Sequence, residues 1–172
     1  MGFEKNRVLK VNDIVKIGML AAMCAIMTSI KVPFGADAMV HLGTACVFLI
    51  GILFGGIYAG FAAAIGSGFF DLLMGFSPYT LWSFFIKGIA GFLIGTIAHG
   101  LWPQKTFDGW LKKALLGMVI AAIWTLGGYI LAWWYVTGSL TIAISYIPSS
   151  IMTSTAGFIV AVVVAPVLRK KI

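Results

Sequence analysis

Acidic side chains are nearly missing from this sequence: its 172 residues hold five Asp and Glu together, against twelve Lys and Arg. Three of the five, Glu4, Asp13 and Asp108, lie beside basic clusters, which leaves Asp37 and Asp71. Paired carboxylates for general acid–base or metal chemistry therefore have no material. Cysteine is scarce as well. Cys24 and Cys46 both fall in apolar segments, without the CxxC or Cys/His spacing that holds a metal. No glycine-rich loop followed by lysine is present to cradle a nucleotide's phosphates. The two histidines, His41 and His99, fall near opposite ends of their expected helices, so a shared metal site is not expected. The chain reads as a non-enzyme without cofactor or metal.

Charge of either sign is the largest deficit, at 10% of the chain, while 61% is hydrophobic and the mean hydropathy is +1.05. A water-facing surface cannot be assembled from that composition, so the fold class is an all-α integral membrane protein. The net charge of +7 does not point to nucleic acid, because ten of the twelve cations sit in three clusters. These are Lys5, Arg7, Lys10 and Lys16; Lys105, Lys112 and Lys113; and Arg169, Lys170 and Lys171. Long apolar stretches separate them, which is the positive-inside pattern. All three clusters, and with them both termini, are expected in the cytoplasm. Residues 1–16 read as a cytosolic tail rather than a cleaved signal.

An even number of crossings must then join successive clusters. Lys16 to His99 has room for four spans of the length a bilayer needs, and the 55 uncharged residues after Lys113 hold two more. The six transmembrane helices are expected at about 13–30, 38–54, 57–73, 79–98, 114–134 and 148–168, in one membrane domain covering 1–172. Gly55-Gly56 is read as a tight inner turn, with one long tilted helix as the alternative. Small residues four apart recur at Ala21/Ala25, Gly51/Gly55, Gly56/Gly60, Ala59/Ala63, Ala62/Gly66 and Gly91/Gly95, a spacing that lets membrane helices pack backbone to backbone. Ala21 and Ala25 follow a basic tail and offer a smooth face to a partner.

Two opposite charges lie in the most apolar surroundings, Asp71 and Lys87, each eight residues from Tyr79. If 76–78 is a tight turn, both return to the same side of the membrane. An intramembrane charge is costly and is normally paired or turned to a cavity. Two readings stand together: a structural ion pair, and a binding site. The helices that begin near Tyr79 and Pro148 point N-terminal ends, with free N–H groups, toward an outer cavity. Ser150 opens a hydroxyl stripe there, next to Tyr146. Trp82 and Trp133 are suited to stacking on a flat ring, while Trp134 and Tyr135 fit an interfacial belt. Asp37 and His41 bracket a lid loop at the second helix, where His41 serves equally well as a helix-end hydrogen-bond partner.

The stretches His41-Leu-Gly-Thr, Gly51 to Gly56, Gly66 to Asp71 and Tyr79 to Gly91, in this order and spacing, resemble the substrate-binding S components of energy-coupling factor (ECF) vitamin transporters. Ala21-xxx-Ala25 is similar to the motif through which that family docks on its coupling subunit. The resemblance covers essentially the whole chain. It implies a multi-pass protein of a bacterial cell membrane that binds a water-soluble vitamin or precursor, with transport driven by a transmembrane coupling subunit and two ATPase subunits. It implies substrate contacts from Asp37, His41, Tyr79, Trp82, Lys87, Trp133, Tyr146 and Ser150. The residues suit a small, flat, hydroxylated heteroaromatic ring, and within the family the sequence is similar to members assigned to pyridoxine or hydroxymethylpyrimidine. A self-sufficient carrier or channel, and a ligand-free membrane assembly protein, are the alternatives; the first generally carries more intramembrane polar residues or an inverted repeat, and neither is found.

Overall fold

The computed structural model describes residues 8–34, 38–103 and 109–170. Helix α1 (Val11–Ser29) leads into a β-hairpin of β1 (Lys31–Phe34) and β2 (Ala38–His41). Then come α2 (Gly43–Phe54), α3 (Gly56–Leu73), a 3-10 turn at Ser77–Tyr79, α4 (Thr80–Ala98), α5 (Trp110–Thr137), the short α6 (Leu140–Ser145) and α7 (Ile147–Arg169). Among the described residues five segments are long and apolar enough to cross a membrane: Val11–Ser29, Gly56–Leu73, Ser77–Ala98, Trp110–Thr137 and Leu140–Arg169. The sixth helix, α2, is apolar but short. The all-α membrane architecture is as expected, apart from the hairpin.

That hairpin corrects the expected start of the second helix. Residues 38–41 pair antiparallel with β1 in the register Lys31↔His41, Val32↔Val40, Pro33↔Met39 and Phe34↔Ala38. Val32 and Val40 favour extended backbone, and Pro33 has no amide proton to give a helix interior. The connection expected at 135–147 also differs. There α5 runs on to Thr137, Gly138 ends it in the left-handed conformation, and Ser139 caps α6 by accepting from the Ile142 amide.

At the inner end the expected break at Gly55 is present. Gly55 has φ 86° and ψ 178°, which ends α2 and excludes a continuous helix. The first amides of α3 are satisfied by the chain leaving α4: Gly56 donates to the Gly100 carbonyl at 2.8 Å and Ile57 to that of Leu101 at 3.0 Å. The C-terminal ends of α2 and α4 are therefore level. With 12 residues, α2 rises about 18 Å, whereas the 19 residues of α4 rise about 28 Å. Ten residues of α2 are buried, among α1, α3, α4 and α7. The bundle's central helix thus stops about 10 Å short of its neighbour's outer end. That gap is where the site forms.

Candidate functional site

A cavity of about 580 Å³ occupies the gap above α2. Its floor is the first turn of α2, where Thr44 is buried. From α4, Lys87 reaches in at the same level, seven residues past Thr80, and its ammonium donates to Thr44 Oγ1 at 3.0 Å. Lys87 is only 5% exposed, and its Nζ stands 5.5 Å from the centre of the Tyr129 ring. One wall is α5, with Thr125, Tyr129 and Trp133 spaced one turn apart on a single face. Tyr129 and Trp133 stack at 5.6 Å, and Trp133 meets Tyr146 at 4.3 Å. The lining also includes Ser67 and Asp71 of α3, with Ser149, Ser150, Thr153 and Ser154 from α7. The result is an aromatic wall above a polar, partly charged floor.

The expected ion pair is not formed: among the described residues Lys87 bonds Thr44 instead of Asp71. The reason is depth. Asp71 lies two residues from the end of α3, about 3 Å along the axis, and Lys87 is about 10 Å into α4, because Met74 to Tyr79 form the turn between them. Equal counts from Tyr79 did not mean equal levels. Asp71 instead lies near Ser83, whose hydroxyl pairs with that of Tyr129 at 2.9 Å.

Of the other expected site residues, His41, Tyr79, Trp133, Tyr146 and Ser150 all line this cavity. His41 Nδ1 also accepts from the Gly43 amide at 3.2 Å, the helix-end role. Burial, with Lys87 and Lys31 adding to it, pushes its imidazole down to about 3, so the ring is neutral. Trp82 is not among the lining residues; it packs beside Tyr135 at 5.8 Å. Asp37 lies outside the described residues. Ala21 turns inward, 4% exposed, against Gly66, while Ala25 is half-buried and Gly18 and Ala22 face outward.

The sequence reading missed Thr44, Ser67, Ser83 and Thr125. A signal existed for three of them. Ser67, Ser83 and Thr125 stand four, four and eight residues before Asp71, Lys87 and Trp133, on the same helix faces. Beneath the floor, the free thiols of Cys24 and Cys46 meet at 3.4 Å. Among the described residues no three His, Cys, Asp or Glu converge on a metal position.

A family model described as "ECF-type riboflavin transporter, S component" matches residues 8–170. The chain belongs to that family. This S component is also 26% identical over 144 residues to a protein of Pyrococcus woesei described as "Uncharacterized protein in gap 3'region", covering 83% of this chain and 91% of that one. Its fold is similar to a solved S component of a bacterial ECF transporter, with a TM-score of 0.64 and 19% identity over 92% of this chain and 96% of the other. The S component is a multi-pass, non-enzymatic, substrate-binding transport subunit of the kind that associates with an ECF energising module. The matching family is the riboflavin-type one, and not the pyridoxine or hydroxymethylpyrimidine group to which the resemblance pointed.

Proposed function

We propose that this S component captures riboflavin in the cavity above α2 and hands it to an ECF module of one coupling subunit and two ATPase subunits. One observation carries the substrate: an extended aromatic wall, Tyr129, Trp133 and Tyr146, rising from a floor of Lys87 and Thr44. A flat tricyclic ring with one polar edge has faces to stack on that wall and carbonyls for the floor. A single small ring would leave much of the wall uncovered. The family match agrees with this reading. Docking is assigned to the outward strip of Gly18, Ala22 and Ala25, which share one face of α1 at helical spacing.

The test is a titration of purified protein with riboflavin, followed by quenching of flavin fluorescence, with pyridoxine and hydroxymethylpyrimidine as competitors. Stoichiometric quenching that neither competitor reverses is expected. Displacement by either one-ring compound at equal concentration would overturn the substrate. Uptake by vesicles holding this chain alone would overturn the dependence on an energising module.

A further inference from the structure

We infer that Lys87 and Asp71 are a split donor and acceptor that reads the cyclic imide edge of the ligand ring; this rests on the riboflavin reading. An ammonium has three protons to donate, and among the described residues Lys87 finds one acceptor, Thr44, at 3.0 Å. The Tyr129 ring, its centre 5.5 Å from Nζ, lines the same cavity and offers no hydrogen-bond acceptor on its face comparable to a carbonyl. A buried cation so incompletely bonded is costly unless an occupant brings acceptors. Asp71 lines the same cavity and, as a carboxylate, only accepts. Had the two served solely to tie α3 to α4, they would sit at one depth and touch. They instead line one cavity at different levels, Asp71 near the end of α3 and Lys87 beside Thr44.

A ligand that satisfies both brings an acceptor for Lys87 and a donor for Asp71. The carbonyl, N–H and carbonyl of a pyrimidinedione ring do so. The methylated benzenoid edge offers neither group, and the ribityl hydroxyls, which both donate and accept, sit on a flexible chain, whereas the imide edge holds donor and acceptor in one fixed plane. Lys87 donates to a carbonyl and Asp71 accepts the imide N–H. Ser83 and Tyr129, joined at 2.9 Å, stand beside Asp71 and hold that side of the cavity in shape.

The experiment compares riboflavin with 3-methylriboflavin, whose imide nitrogen has no proton. Wild-type protein is expected to bind the methylated compound about 30-fold more weakly, since a site built for a hydrogen bond rejects an analogue that lacks it. In Asp71→Ala that ratio should fall to about 3 or less, the remainder being steric. In Lys87→Met both compounds should weaken together, about 10-fold or more, because the carbonyls are common to both. Equal wild-type affinity for the two compounds, an arm that needs no substitution, would overturn the inference while leaving the riboflavin assignment intact. So would undiminished discrimination in Asp71→Ala. Absence of any riboflavin binding by wild-type protein would remove the assignment itself, and the inference with it.

Discussion

The seam between α3 and α4 and the opening among α5, α6 and α7 are built on opposite rules. At the seam there is no room for one more carbon: a Cβ on Gly95 would meet Gly56 Cα at 2.6 Å, and at the adjoining α1–α3 contact one on Gly66 would meet the Ala21 carbonyl oxygen at 2.5 Å. On α5, a Cβ on Gly127 would meet nothing within 4 Å. The first region is a dry frame of alanine and glycine, holding α1 to α4 at backbone contact. The second carries Tyr129, Trp133 and Tyr146 and the hydroxyls of α7 around a cavity. Close packing therefore fixes the frame, which itself lends Thr44, Asp71 and Lys87 to the cavity, while the rings of α5 and Tyr146 can vary without loosening it.

Substitutions at the two regions should separate cleanly. The largest effect is expected from Gly95→Val, which forces backbone apart and destabilises by about 3 kcal/mol or more; thermal melting in detergent reads this, and an unchanged midpoint would refute the frame. Next comes Trp133→Ala, which removes the middle ring of the wall. Riboflavin should bind about 10- to 100-fold more weakly, from ~1–3 kcal/mol of stacking, with an unaltered melting midpoint. A matched loss of stability would mean that the wall belongs to the frame. Gly127→Ala should be neutral or stabilising by up to about 1 kcal/mol, since it relieves a helix-interior glycine at an open position. A destabilised variant would reveal packing on that face.

The smallest effect concerns pH. His41 stays neutral in the folded protein down to about 3, whereas its ordinary value is 6.5. Its contribution to stability is whole above 6.5 and is lost as pH falls toward 3, because the unfolded chain takes up the proton first. Riboflavin affinity should therefore be flat between pH 5 and 7. A step near 6.5 would place His41 in water and not in the cavity wall.

Much of the frame was legible because lipid imposes simple rules. Basic clusters counted the crossings, and glycine and alanine at spacings of four marked the close contacts. What sequence could not decide was which way a residue faces. In a soluble helix polarity separates inside from outside, but here both faces are apolar, so Ala21 and Ala22 look alike although the first is buried and the second exposed. The same ambiguity let Met39 and Val40 pass for the start of a helix. Depth was equally hidden. Asp71 and Lys87 appeared symmetric about Tyr79 until the length of the turn was known, and Trp82 and Tyr129 could be sorted only by knowing which rings face the cavity.

The shortness of α2 also fixes where the membrane's voltage falls. Water in the cavity shares the potential of the side to which the cavity opens, so it carries that potential inward to the level of Thr44 and Lys87. Below lies a plug with Phe48, Ile50 and Ile52 fully buried. Most of the drop, worth about 2.3 kcal/mol per charge at 100 mV, is then compressed into the ~18 Å that α2 spans rather than spread over the ~30 Å of a bilayer core. The ammonium of Lys87 stands at the upper edge of that focused field, the one buried cation placed to feel it among the described residues.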